Sequence, residues 1–160
     1  RDGRLEIGKW GRDFDGLTDD MMAVRQNLAL IVDKGVSKVS NPNDTYVWGG
    51  TTDKESMAWR SAIGQRADDS ILYVGSPFLS AEGLADTMVR AGAQRAMVLD
   101  MNTWWTAGFI FKHRRNGELV CRKLDPSVPG ECERFLRRYK RDSFHFLART
   151  PIPAAPATDP

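Results

Sequence analysis

The stretch from residue 80 to residue 105, SAEGLADTMVRAGAQRAMVLDMNTWW, constrains the fold of this chain more than any other segment. Ser80 can accept a backbone hydrogen bond as the N-cap of a helix, and apolar residues follow it at helical spacing. Gly92 stands where a left-handed residue ends a helix, and the apolar run 96–99 has the length of a buried strand. These features predict a sheet that is covered by this helix and that presents Asp100 at the end of a strand.

Hairpin signals dominate the rest of the chain. The apolar runs 57–63 and 71–74 flank a turn-forming stretch, which predicts one hairpin. The Asn-Gly pair at 116–117, between runs at 106–111 and 119–124, predicts a second. Because strands outnumber helices, we predict an α+β fold with a mixed β-sheet and a few short helices packed on it.

Five further elements are predicted from shorter patterns. They are a hairpin strand at 1–9, a short helix at 21–25, a buried strand at 28–33, a short basic helix at 133–138 and a last strand at 143–149. The proline-rich residues 150–160 predict an extended tail, so the domain is expected to cover residues 1–149.

Length and composition suit one folded domain. The chain has 160 residues, of which 41% are hydrophobic and 28% are charged, and this composition argues against disorder of the whole. No run of about 18 apolar residues occurs, so we predict no transmembrane segment. The net charge of +2 argues against a dedicated nucleic-acid binder. Residues 112–141 hold ten Lys and Arg against four Asp and Glu, which indicates either a basic patch or a solvated helix face.

Cys121 and Cys132 are the only cysteines in the chain. Their spacing does not match a zinc site, so they form either a disulfide that closes a short loop or two free thiols. The disulfide is the favoured interpretation, and it predicts a secreted or cell-envelope-associated protein. His113 and His145 have no ligand spacing, and no phosphate-binding glycine loop is present, so we predict no metal and no cofactor.

Three segments carry a resemblance to a known family. They are MAWRSAIG at 57–64, ILYV at 71–74 and the helix–strand unit from Leu79 to Asp100. In this order and spacing they resemble the phosphodiester glycosidase family, which includes the enzyme that uncovers mannose 6-phosphate by removing N-acetylglucosamine. Residues 24–33 are also similar to bacterial members. The resemblance covers roughly residues 1–112 and implies a hydrolase that cleaves a sugar-1-phosphodiester or a related cell-envelope glycan.

The chain departs from the family pattern in two respects. The family follows its aspartate with the pattern D-G-G-G-S, whereas residues 100–104 here are Asp-Met-Asn-Thr-Trp. Glycines let backbone approach a ligand closely, so this change predicts a different pocket floor. The family's preceding half, with its asparagine- and glycine-rich motif, is not in this sequence. We expect that half either as a separate fragment of the same precursor, which would be a partner, or as lost.

Three charged residues are the predicted catalytic set. Asp100 can act as the nucleophile at an anomeric carbon or as a general acid. Asp33 is its predicted partner carboxylate, because it too ends a buried strand. Arg60 can hold a phosphodiester through paired hydrogen bonds. The structural alternatives are that Asp100 caps the following turn or pairs with Arg60, and that Arg60 belongs to an ion pair.

Three polar or aromatic residues are the predicted substrate-binding set. Asn102 can bind sugar hydroxyls or shape a turn, and Ser61 lies beside Arg60 with no sign of a nucleophile elbow. Trp105 can stack on a sugar face. Adjacent residues on a strand face opposite ways, so Trp104 would then pack into the core.

Three functions follow from these observations. The first is a hydrolase that acts on a sugar-1-phosphodiester or a related glycan. The second is a module that keeps the fold and binds a glycan without cleaving it, which the altered motif after Asp100 favours. The third is a structural subunit that recruits its missing half through an exposed sheet edge.

Overall fold

A computed structural model describes residues 4–50, 57–140 and 143–147 of this chain. Its main sheet has five strands: β1 (Leu30–Asp33), β2 (Val36–Ser37), β3 (Ala58–Arg66), β4 (Ile71–Leu79) and β5 (Ala93–Val98). They lie in the order β2-β1-β5-β3-β4, and every neighbouring pair is antiparallel. A separate antiparallel hairpin holds β6 (Phe109–His113) and β7 (Leu119–Lys123). The helices are α1 (Thr45–Trp48), α2 (Ala81–Arg90) and a 3₁₀-helix (Cys132–Leu136). The predicted α+β class is confirmed.

Helix α2 covers one face of the main sheet and forms the core with it. Its side chains Leu84 and Met88 are fully buried against residues of β1, β3 and β5. Gly64 lies directly below the Met88 methyl group, and a Cβ at this position would collide with it. The absence of a side chain at Gly64 therefore lets the helix pack closely on the sheet.

The two ends of α2 confirm the capping pattern of the sequence. The Ser80 hydroxyl accepts a hydrogen bond from the Gly83 amide at 3.0 Å. Gly92 takes a φ of +88°, and its amide donates to the Val89 carbonyl. The chain thus leaves the helix through a left-handed residue and enters β5 at once.

Both predicted hairpins are confirmed: the first has longer strands than predicted, and in the second the strands are 109–113 and 119–123 instead of 106–111 and 119–124. Strand β3 extends beyond residue 63 to Arg66, and β4 extends beyond residue 74 to Leu79. The hairpin of β6 and β7 turns at Gly117, which has a φ of +83°. Strand β2 returns from β1 through Lys34 and Gly35, both at positive φ, as a two-residue hairpin turn requires.

Several of the predictions from shorter patterns are wrong. Residues 21–25 contain no helix, because so short a segment does not by itself offset the cost of helix nucleation. Residues 4–9 form no strand, and residues 143–147 form none either. The predicted basic helix is the 3₁₀-helix at Cys132–Leu136. Residues 148–149 and the predicted tail lie outside the described residues. Among the helices described, none has the length and apolarity to cross a membrane.

A disulfide joins β7 to the 3₁₀-helix, as the sequence predicted. Cys121 and Cys132 are bonded, with their Cα atoms 6.3 Å apart. The two elements that they connect are small: a two-stranded sheet and a single 3₁₀ turn. Neither is stable alone in water, so the disulfide stabilises this part of the fold.

Reduction of this disulfide should lower the free energy of unfolding by about 2–3 kcal/mol, the range expected for a loop of this length. The measurement is thermal unfolding with and without dithiothreitol. The double variant Cys121→Ser/Cys132→Ser is the matched control. It should unfold at the temperature of the reduced protein, and dithiothreitol should not change that temperature. Equal stability of all forms would contradict the prediction.

Candidate functional site

Asp100 lies two residues beyond β5, and Ser61 of β3 holds it there. The Ser61 amide and hydroxyl both donate to the Asp100 carbonyl, each at 2.9 Å, and the Leu99 amide donates to the Ser61 carbonyl at 2.8 Å. Ser61 is buried. Its hydroxyl therefore positions the backbone of Asp100 and is not presented to a ligand, contrary to the predicted binding role.

The carboxylate of Asp100 caps the turn that follows it. Its Oδ1 accepts from the amides of Met101 at 2.7 Å and Asn102 at 3.1 Å. Asn102 repeats the pattern, because its Oδ1 accepts from the Trp104 amide and its carbonyl accepts from the Thr106 amide. Both side chains therefore stabilise the turn, as the structural alternatives to a ligand-binding role predicted. The hydrogen bonds described for the carboxylate use only Oδ1.

An open cleft of about 330 Å³ adjoins this turn. It is lined by Arg25, Asn27, Leu28, Gly49, Gly50, Leu99, Asp100 and Met101. Asn27 donates from Nδ2 to the Val98 carbonyl at 2.5 Å, which fixes its amide beside the end of β5. The cleft therefore brings together a carboxylate, a guanidinium and an amide, which are groups that bind sugars and phosphates.

Met101 forms part of the cleft floor by covering Gly49. The methyl group of Met101 lies directly against the Cα of Gly49, where a Cβ would collide with it. Gly49 has a φ of +74°, a conformation that strains a residue with a side chain, and a Cβ here would also require the Met101 methyl group to move. The Met101 side chain thus fills space at the base of the cleft.

Arg60 does not line the cleft; it is buried behind it, with 1% of its surface exposed. Its Nε donates to the Leu79 carbonyl and its Nη1 to the Trp48 carbonyl, each at 3.0 Å, and Nη1 also contacts the Met101 sulfur at 2.9 Å. Burial lowers the pKa of the guanidinium. Arg60 thus connects α1, β4 and the cleft floor from within the protein, a structural role that we call a bracket. This role differs from the predicted phosphate clamp.

Asp33 lies at the opposite end of the sheet from Asp100. It pairs across β1 and β5 with Arg95, near the start of β5, whereas Asp100 follows the end of that strand. The prediction that the two carboxylates act together assumed that both strands end at one edge. Because β1 and β5 are antiparallel, their ends point in opposite directions.

Asp33 belongs instead to a cluster of charges at the N-terminal segment. Arg12 donates to both of its carboxylate oxygens, at 2.6 and 3.1 Å, and to Asp13. The hydrogen bonds from Arg12 lower the pKa of Asp33, and those from Arg12 and the Lys9 amide lower the pKa of Asp13 to about 2. This cluster fastens residues 9–13 to the sheet.

Acid should destabilise the protein through this cluster. Both carboxyl pKa values lie below their unfolded values, so the stabilisation is complete above an unfolded pKa of about 4 and is lost as the pH falls through the folded values, of which that of Asp13 is about 2. Thermal unfolding from neutral pH down to about pH 2 measures this loss. The variant Asp33→Asn should be less stable at neutral pH, and its melting temperature should fall less steeply with decreasing pH than that of the wild type. A decline as steep as that of the wild type would contradict the assignment.

Trp105 packs into an aromatic cluster and does not line the cleft. Its ring lies 6.2 Å from Tyr139, and the Arg134 guanidinium lies 5.8 Å from it and 4.9 Å from Phe135. Trp104 is the more exposed tryptophan, at 52%. The predicted assignment of Trp105 to sugar stacking and Trp104 to the core therefore does not match their environments.

The sequence prediction omitted the residues that share the cleft with Asp100. Arg25 and Asn27 precede β1 in a segment without helix or strand, and only their resemblance to bacterial family members marked them. Tyr73 of β4 does not line the cleft but is influenced by Asp100: burial raises the pKa of its hydroxyl, a hydrogen bond with Ser61 lowers it, and the charge of Asp100 raises it further. No signal in the sequence of β4 indicates that contact.

Within the described residues, no group of three or more metal-ligating side chains is present. Comparison with known family models finds no match for this chain, and comparison with curated proteins finds none. The resemblance to the phosphodiester glycosidase family therefore stays a prediction.

Proposed function

We propose that the cleft beside Asp100 binds and hydrolyses a sugar-1-phosphodiester or a related cell-envelope glycan. The observation that supports this most directly is the shared lining of the cleft by Asp100, Arg25 and Asn27. A carboxylate suits attack at an anomeric carbon, and a guanidinium suits the phosphate that leaves. The Cys121–Cys132 disulfide adds support for an oxidising compartment, such as the exterior of the cell.

The proposed reaction needs one carboxylate. Asp100 attacks the anomeric carbon, the bond from that carbon to the phosphate oxygen breaks, and the phosphate leaves with the electron pair. Water then cleaves the glycosyl–Asp100 ester and restores the carboxylate. A phosphate is a weak base, so it leaves without the general acid that a neutral glycoside requires. Arg25 would neutralise the charge on the leaving group.

A second candidate is a module that binds a glycan without cleaving it. One observation favours it: among the described residues that line the cleft, Asp100 is the one carboxylate, whereas glycoside cleavage ordinarily uses two. This function would still use Arg25 and Asn27 for binding, but it would need no nucleophile.

The deciding experiment assays the protein on sugar-1-phosphodiesters and on neutral glycosides of the same sugars, with calorimetry for binding. Turnover of the phosphodiesters alone is expected. Binding without turnover would support the second candidate. Neither binding nor turnover across the panel would contradict both proposals.

Arg25→Gln should weaken the binding of phosphodiesters roughly tenfold or more and leave neutral glycosides unchanged, because it removes one charge-assisted contact. Arg90→Gln is the matched control, since Arg90 is an exposed cation at the end of α2 and outside the cleft lining. Equal weakening of both ligand classes by Arg25→Gln would refute its role at the phosphate.

A further inference from the structure

The chain beyond the 3₁₀-helix exposes apolar and cationic side chains together. Residues 136–140 and 143–147, here named the basic–aromatic segment, are all exposed. Its large apolar side chains are Leu136, Tyr139, Phe144, Phe146 and Leu147. Leu147 is 89% exposed and Phe146 is 60% exposed. Exposed apolar side chains grouped in this way mark a surface that meets something other than water.

The charge of the segment is of one sign. Arg137, Arg138 and Lys140 are exposed, and the described part of the segment holds no Asp or Glu. Arg141 and Asp142, which lie outside the described residues, add one charge of each sign. The segment thus carries more positive charge than the net +2 of the whole chain, and it complements an anionic surface.

Ring contacts hold the segment against the domain at two places. Near its start, Tyr139 packs 5.3 Å from Phe135 of the 3₁₀-helix. Near its end, the Phe144 ring lies 5.6 Å from the Arg25 guanidinium and stacks on Phe146 at 6.4 Å. The exposed groups are therefore presented from the domain surface, and the Arg25 contact sets them beside the candidate cleft.

We propose that the basic–aromatic segment docks this protein onto a lipid bilayer that contains anionic lipids. The cations would lie at the headgroup phosphates, and the aromatic rings and leucines would enter the boundary between headgroups and acyl chains. Leu136 and Leu147 favour a lipid surface over a nucleic acid, because aliphatic side chains gain from leaving water but do not stack on bases.

The test is cosedimentation of the whole chain with unilamellar vesicles. One set is phosphatidylcholine alone, and the other contains about one third phosphatidylglycerol, which supplies the negative surface potential. Binding is expected to the second set, and it should weaken as salt screens the surface charge. Equal binding to both sets, or binding to neither, would overturn the proposal.

Arg137→Gln/Arg138→Gln should lower the apparent affinity for the anionic vesicles roughly 25-fold, from two lost cation–surface contacts. The matched control is Lys112→Gln/Arg115→Gln, which removes two exposed cations from the hairpin of β6 and β7. The control should bind the vesicles within about twofold of the wild type. Equal losses in both variants would mean that net charge alone drives the association, which would overturn the role of this segment.

Phe146→Ser/Leu147→Ser should lower the affinity roughly tenfold or more, because apolar insertion is lost. Leu17→Ser/Met22→Ser is the matched control, since both side chains are exposed elsewhere on the domain. All variants should melt near the wild-type temperature. Binding of a single-stranded oligonucleotide or of polyphosphate as tightly as the vesicles, with no effect of the serine changes, would overturn the lipid assignment.

Discussion

Replacement of Asp100 by Asn should abolish turnover of a sugar-1-phosphodiester and leave the melting temperature close to the wild-type value. The amide oxygen of Asn can still accept the hydrogen bonds from the Met101 and Asn102 amides that Oδ1 of Asp100 accepts. The turn is therefore kept, and only the charge and the nucleophile are lost. A loss of roughly a thousandfold or more in kcat is expected for a residue that forms the covalent intermediate.

Asp100→Ala separates catalysis from the capping of the turn. It removes both roles, so it should lose turnover and also about 1 kcal/mol of stability, the usual contribution of a capping side chain. If Asp100 only shapes the turn, Asn should keep activity while Ala loses stability. Retained turnover in Asp100→Asn, measured in single-turnover kinetics, would remove Asp100 from the proposed mechanism.

The parts of the fold that the sequence predicted well depend on local patterns. The cap at Ser80, the left-handed Gly92 and the turn at Gly117 each follow from the chemistry of a few neighbouring residues. The helix wrongly predicted at 21–25 lacks such support, because a single charged first turn does not offset nucleation. Local signals therefore suffice where capping and periodicity agree.

The candidate site was harder to predict because it depends on strand direction. The sequence shows that Asp33 and Asp100 each follow an apolar run, but it does not show that β1 and β5 are antiparallel. In that arrangement Asp33 accepts a hydrogen bond from Arg12, whereas Asp100 lines the cleft together with Arg25 and Asn27. Contacts between segments so distant along the chain leave no periodic signal.

Arg60 illustrates a second limit of sequence reasoning. An arginine inside an apolar strand matches both a ligand contact and a buried structural contact, and the sequence leaves both open. The decision between them depends on the carbonyls of Trp48 and Leu79, which come from two other elements. The structure favours the second role, because the described partners of the guanidinium include two backbone carbonyls and the Met101 thioether.

Arg60→Met should lower the free energy of unfolding by about 3–4 kcal/mol. Methionine fills much of the same volume, but the carbonyls of Leu79 and Trp48 lose their donor, at a cost of about 1–3 kcal/mol for each unpaired buried group. The variant also frees Met101, so the cleft floor loosens. Chemical denaturation measures the stability, and calorimetry measures the affinity for both ligand classes.

The pattern of affinities distinguishes a bracket from a phosphate clamp. A bracket acts on the shape of the cleft, so Arg60→Met should weaken the binding of phosphodiesters and neutral glycosides alike. Arg25→Gln changes the charge at the cleft surface, so it should weaken phosphodiesters selectively. It also removes the contact with the Phe144 ring, and its loss of stability should be smaller than that of Arg60→Met. Arg60→Lys keeps the charge but loses the planar fork, and it should fall between wild type and Arg60→Met in stability. A stable Arg60→Met protein that loses phosphodiester binding alone would restore the clamp and refute the bracket.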